Sequence, residues 1–104
     1  MFEHITQAAM ESILEDEALY RGLTDHEATI LVQWAEGRIG IVLFGASDDE
    51  TARQRVAREV KRLRAAFKAI ARQAVNFMPC ERSVVIAAAT AILSELWNVG
   101  DGDA

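Results

Sequence analysis

The sequence predicts an all-α, four-helix bundle-like single domain with a long third helix. Apolar residues recur at helical spacing along most of the 104 residues, 51% of which are hydrophobic. Glycines and helix-capping residues interrupt this pattern at short breaks, and the single proline falls at the last of them. The predicted helices cover about residues 2–21, 25–44, 48–77 and 79–98, and residues 99–104 form a frayed tail.

Helix one is predicted from apolar residues that share one face: Phe2, Ile5, Ala9, Ile13 and Tyr20. Arg21 and Gly22 are typical of a helix end, where a cation and a residue free to adopt positive φ are favoured. Thr24 and Glu27 then form a capping-box pattern, in which each side chain binds the other residue's backbone N–H. This pattern predicts the start of helix two.

The second half of helix two, residues 37–45, is ambiguous. Its glycines and β-branched residues weaken a helix, so the same run also fits a strand. A lone strand would leave its backbone groups unpaired unless a second subunit supplied a partner. We therefore favour a helix and keep a strand as the alternative.

Helix three is predicted to begin at a second capping box, Ser47 to Glu50, and to continue without glycine or proline to Phe77. A helix over residues 48–77 would be about 45 Å long, whereas a compact domain of this size is roughly 33 Å across. The sequence therefore predicts a homodimer that covers the far end of the helix. The candidate interface consists of Phe67, Ile70, Ala74 and Phe77.

Helix four begins at Pro79, a residue suited to the first turn of a helix. The run from Val84 to Leu93 is interrupted only by Thr90 and is shorter than the roughly 20 apolar residues of a membrane span. We expect helix four to lie almost wholly inside the bundle and no part of the chain to enter a membrane.

Charge is unevenly distributed within a net charge of −5. Residues 51–78 carry eight basic residues and one acid, whereas residues 1–50 carry eleven acids and two bases. At helical spacing one arc of helix three contains the candidate polyanion or partner face: Arg53, Lys61, Arg64, Lys68 and Arg72. This face either pairs with the acidic helix one or binds phosphates of a nucleic acid. We favour pairing, because this basic face contains no exposed aromatic residue on which nucleic-acid bases could stack.

The stretch from Leu23 to Leu31, with Ala35-Glu36-Gly37 after it, resembles the opening of a LuxR-type helix-turn-helix domain. The resemblance covers about fifteen residues and would imply DNA binding. After Gly37 the sequence departs from that family, which continues with a polar turn, a short scaffold helix and a recognition helix. No base-contacting residue is therefore carried over.

No catalytic, cofactor-binding or metal-binding residue is predicted. His4 and His26 lack metal-ligand spacing, and Cys80 has neither a histidine nor a second cysteine to support a reactive thiol. The expected function is a small, non-enzymatic interaction or structural module acting as a cytoplasmic homodimer with a further, unidentified protein partner. The alternative is a nucleic-acid-associated regulator that uses the basic face of helix three.

Overall fold

A computed structural model describes the backbone of residues 2–102 and the side chains of residues 2–97. The fold is all-α and bundle-like, as predicted, with no strand in the described residues. The four helices are α1 (Glu3–Glu15), α2 (Asp25–Leu43), α3 (Asp49–Ala74) and α4 (Pro79–Gly102). The ambiguous run after Gly37 is helical as far as Leu43, so it needs no partner strand.

The helix ends differ from the predicted bounds at three places. α1 ends at Glu15, six residues early, and a short 3₁₀ turn (Glu17–Leu19) follows it. α3 ends at Ala74 rather than at Phe77. α4 continues through residues 99–102, which were expected to fray, and the remainder of that predicted tail lies outside the described residues.

Local capping explains where α2 and α3 begin. Thr24 Oγ1 accepts from the Glu27 N–H at 3.2 Å, and Glu27 Oε1 accepts from the Thr24 N–H at 2.8 Å, which confirms the capping box. At α3 the cap is Asp48, not Ser47 as predicted, and its Oδ1 accepts from the Thr51 N–H at 2.7 Å. A carboxylate is at least as good an acceptor there as a hydroxyl, and the helix starts one residue later.

α2 and α3 form the centre of the bundle, and α1 and α4 each pack on both of them. Cross-helix contacts fix the directions. The beginnings of α1 and α3 meet at His4 and Asp49, and Ser12, near the end of α1, bonds to Arg64, beyond the middle of α3. α1 and the 3₁₀ turn therefore run parallel to α3. The result is a flattened bundle with Cα extents of 45 × 29 × 17 Å.

The flattened shape corrects two expectations. α3 has 26 residues, about 39 Å, and fits within the 45 Å long axis, so its length no longer requires a second chain. α4 is also not almost wholly inside. Ile86 and Thr90 are its buried residues among those described, whereas Val84 and Ile92 are 71% and 59% exposed. With α4 packed on α2 and α3 alone, its outer face has no cover within the chain.

Candidate interaction surfaces

The basic residues of α3 line a groove between α3 on one side and α1 with the 3₁₀ turn on the other. Arg53, Lys61 and Arg64 border an upper concavity of about 540 Å³, and Lys68 and Arg72 border a lower one of about 390 Å³. All five predicted residues of the basic face therefore lie along the same groove, in its two concavities. We call it the basic groove.

The floor of the upper concavity is apolar. It is made of small and aliphatic side chains from both helices: Ile5, Ala8, Ala9, Val56, Ala57 and Val60. The alanines keep the floor low, because a larger side chain there would fill the space between the helices. The lower concavity has Ala18, Ala71 and Val75 between its cations.

A third cation, Arg21, borders the lower concavity. Gly22 has a φ of +88°, a conformation that L side chains rarely adopt, and a Cβ there would approach Val75 Cγ1 to 3.4 Å. The turn that carries Arg21 therefore lies beside Val75 at the end of α3. Gly22 was predicted to follow the end of α1. It lies instead in the connector between the 3₁₀ turn and α2.

Arg64 crosses the groove between the two concavities. Its Nη2 donates to Ser12 O at 3.0 Å and to Ser12 Oγ at 2.8 Å, and its Nη1 lies 3.6 Å from Asp16 Oδ2. The expected pairing with acidic helix one is thus present for one residue of the basic face. Among the described side chains, the other four residues of that face and Arg21 form no hydrogen bond or ion pair.

The outer face of α4 is a second candidate surface. Its exposed residues are uncharged over about two and a half turns: Val84, Ala87, Ala88, Ala91 and Ile92. Glu81 and Glu95 bound this stretch, and Leu96 lies at its edge with 61% exposure. A helix that is apolar all round is normally covered on all sides. We call this surface the α4 face.

The predicted dimer-interface residues lie elsewhere. Phe67, Ile70 and Ala74 are 0%, 5% and 0% exposed and belong to the core of their own chain, so they offer no surface to a second copy. Phe77 is 41% exposed, in the turn between α3 and α4. The apolar spacing correctly predicts a buried face, but that face is covered by the same chain and not by a second one.

The bundle contains a buried ion-pair cluster that was not predicted from the sequence. Glu59 and Arg38 are both 2% exposed, with Arg38 Nε 3.3 Å from Glu59 Oε1. Arg62 lies 3.8 Å from Glu59 Oε2 and 4.6 Å above the Trp97 ring. Trp34 packs 5.5 Å from Trp97 and donates to Ser94 Oγ at 2.7 Å. The cluster joins α2, α3 and α4.

A sequence signal for this cluster did exist. Glu59 is the one acid of residues 51–78 and falls between Val56 and Leu63 on the apolar face. Arg38 similarly follows Leu31 and Ala35 at helical spacing. A buried pair of this kind fixes the arrangement of helices more than it adds net stability.

The remaining candidate groups form no reactive site in the described residues. His4 and His26 are exposed, as is the Cys80 thiol, and no three metal-ligating side chains come together. Between residues 2 and 102 no helix has the length and apolar character needed to cross a bilayer. The hydrogen bond from the Thr51 backbone N–H holds the pKa of Asp48 below its ordinary value of 3.8.

Comparisons with known protein families, curated proteins and solved structures find no match.

Proposed function

We propose that this protein is a non-enzymatic interaction module that forms a homodimer through the α4 face. The observation that carries the proposal is the uncharged outer surface of α4, from Val84 to Ile92, in a chain of which 26% of the residues are charged. Apolar patches on soluble domains mark sites of association, because covering them removes apolar area from water.

A second copy is the occupant that this face fits best. Charge complementarity does not favour a charged partner on an uncharged surface. A second copy related by a twofold axis presents an identical apolar surface to it. Ala87, Ala88 and Ala91 lie at its centre, where small side chains let two helix backbones approach closely. In an antiparallel pair centred on Ala88, Val84 of each copy meets Ile92 of the other. The same pairing brings Glu81 of each copy near Glu95 of the other at the two ends of the contact, where both side chains are exposed and solvent screens their repulsion.

The first test places a charge on the α4 face. Ile92→Glu should raise the dimer dissociation constant at least about tenfold, because the dimer would bury an unpaired carboxylate. Ile41→Glu is the matched control, since Ile41 lies on α2 and has almost the same exposure, 58% against 59%. Sedimentation equilibrium measures both variants. A wild-type monomer at high micromolar concentration, or equal weakening by both variants, contradicts the proposal.

The second test reports the geometry of the dimer. In a Cys80→Ser background, Ala88→Cys should form an intermolecular disulfide under mild oxidation, because a thiol beside the twofold axis lies near its own copy. Ala65→Cys, an exposed alanine on α3, should not. Equal cross-linking of the two variants would mean random collision and would remove the antiparallel pairing.

A further inference from the structure

The basic groove has features that the homodimer leaves unused. It lies between α1 and α3, on elements distinct from the α4 face. Four cations of the predicted basic face and Arg21 have no partner among the described side chains, although the first fifty residues carry eleven acids. A fold that pairs one of these cations internally and leaves five in solution, along one groove, presents a surface for an anionic partner.

The length of the groove determines the kind of ligand. From Arg53 to Arg72 the helix advances about 28 Å, or roughly five turns. A small anion would occupy one concavity and leave the other empty. An elongated partner would contact both, with Arg64, fixed by Ser12 and Asp16, between them.

The floor of the groove separates a peptide from a nucleic acid. The upper concavity is floored by aliphatic and alanine side chains, and these gain from contact with apolar groups. A sugar-phosphate backbone presents no apolar ridge to such a floor. Proteins that bind single-stranded nucleic acids combine a basic groove with aromatic side chains on which the bases stack, and no aromatic residue lines either concavity. Neither concavity is lined by a carboxylate.

We propose that the basic groove binds an acidic amphipathic helix of a partner protein. The apolar ridge of that helix lies on the floor formed by Ala8, Val56 and Ala57, and its flanking carboxylates meet Arg53, Lys61, Lys68 and Arg72. Helices recognised in grooves use this division, in which apolar anchors at three- and four-residue spacing provide contact area and charges fix orientation.

The test uses a fluorescein-labelled, end-capped peptide of about 19 residues, long enough to span the groove, with leucines along one helical face and glutamates beside them. Binding to the full chain is followed by fluorescence anisotropy at low salt. The control peptide replaces each glutamate with lysine. A 20-nucleotide single strand and a duplex of the same length are titrated in parallel. The acidic peptide should bind at least tenfold more tightly than the lysine peptide and than either nucleic acid.

Two charge variants locate the binding. Lys61→Gln with Arg72→Gln should weaken peptide binding about fivefold or more, because two exposed charge contacts are lost. Arg58→Glu is the matched control. It lowers the net charge by the same two units at an exposed position of α3 outside both concavities and should change affinity less than twofold.

The third variant, Ala57→Leu, fills the floor without changing charge. It should weaken peptide binding at least about threefold, and its circular dichroism should match that of the wild type because residue 57 is exposed. The proposal fails if both charge variants weaken binding equally, if Ala57→Leu has no effect, or if the lysine peptide binds as well. Tighter binding of DNA than of the acidic peptide would replace it with the nucleic-acid interpretation.

Discussion

Asp48 illustrates how one residue links helix formation to pH. Its carboxylate caps α3, and the backbone N–H of Thr51 holds its pKa below 3.8. The ionised cap stabilises the folded state at pH values above the unfolded pKa, and this contribution is lost as pH falls through the lower, folded pKa. The contribution of this carboxylate to stability is therefore full at neutral pH and is lost in acid.

We therefore predict that Asp48→Asn flattens the acid limb of the stability profile. An asparagine can still accept from the Thr51 N–H but does not titrate. The free energy of unfolding of the wild type should exceed that of the variant at neutral pH, and the difference should vanish as pH falls below 3.8. Urea unfolding followed by circular dichroism measures both proteins. A difference between the two proteins that stays constant across the acid range would contradict this role of the ionised cap.

Single residues were predictable from sequence where the cause is local. The Thr24 capping box depends on residues three apart, and both of its hydrogen bonds are present. Glu59 depends on Arg38, which is 21 residues away and reaches it only when α2 and α3 are packed. The charge count over residues 51–78 included Glu59 without assigning it a face, whereas its position between Val56 and Leu63 predicts burial.

At the level of elements, α2 contains two glycines that its helix does not require. A Cβ built on Gly37 or Gly40 meets no atom within 4 Å, and both glycines are exposed inside the helix. They cost helix stability through the freedom of the unfolded chain and give no close approach in return. The glycines thus weaken the helical pattern of the run from residue 37 to 45 in the sequence, although the run folds as a helix as far as Leu43.

Gly40→Ala should accordingly stabilise the protein by about 0.5–1 kcal/mol and raise its melting temperature by a few degrees. Gly45→Ala is the informative control. A Cβ there also meets no atom within 4 Å, but Gly45 has a φ of +80°. That variant should therefore lower the melting temperature. Scanning calorimetry compares the two, and equal shifts would show that backbone conformation is not the deciding factor.

α4 shows where element-level prediction failed. Its apolar composition predicts that the helix is covered, but composition does not specify by what. Two helices, α2 and α3, cover one side through Ile86, Thr90 and neighbouring residues. A third neighbour would be needed for the other side, and α1 lies beside α3 instead. The missing information was the packing order of the helices, which depends on contacts between residues far apart in sequence.

For the whole molecule, the sequence and the structure lead to homodimer proposals that rest on different observations. The sequence argument relied on a third helix longer than its domain, with Phe67, Ile70 and Ala74 at the interface. The molecule is instead elongated enough to contain α3, and those residues are buried in its own core. The structural hypothesis relies on the uncharged α4 face, whereas the sequence hypothesis placed the contact on the basic third helix.

Salt should separate the two surfaces within one sample. Association through the uncharged α4 face is driven by apolar burial, so raising NaCl from about 0.05 to 0.5 M should leave the dimer dissociation constant unchanged or lower it slightly. Docking of the acidic peptide in the basic groove should weaken several-fold over the same range, because exposed charges are screened. Sedimentation and anisotropy measure the two processes. A dimer that dissociates with salt would instead place the acidic α1 of one copy against the basic groove of the other, and Lys61→Gln with Arg72→Gln would then dissociate it as well.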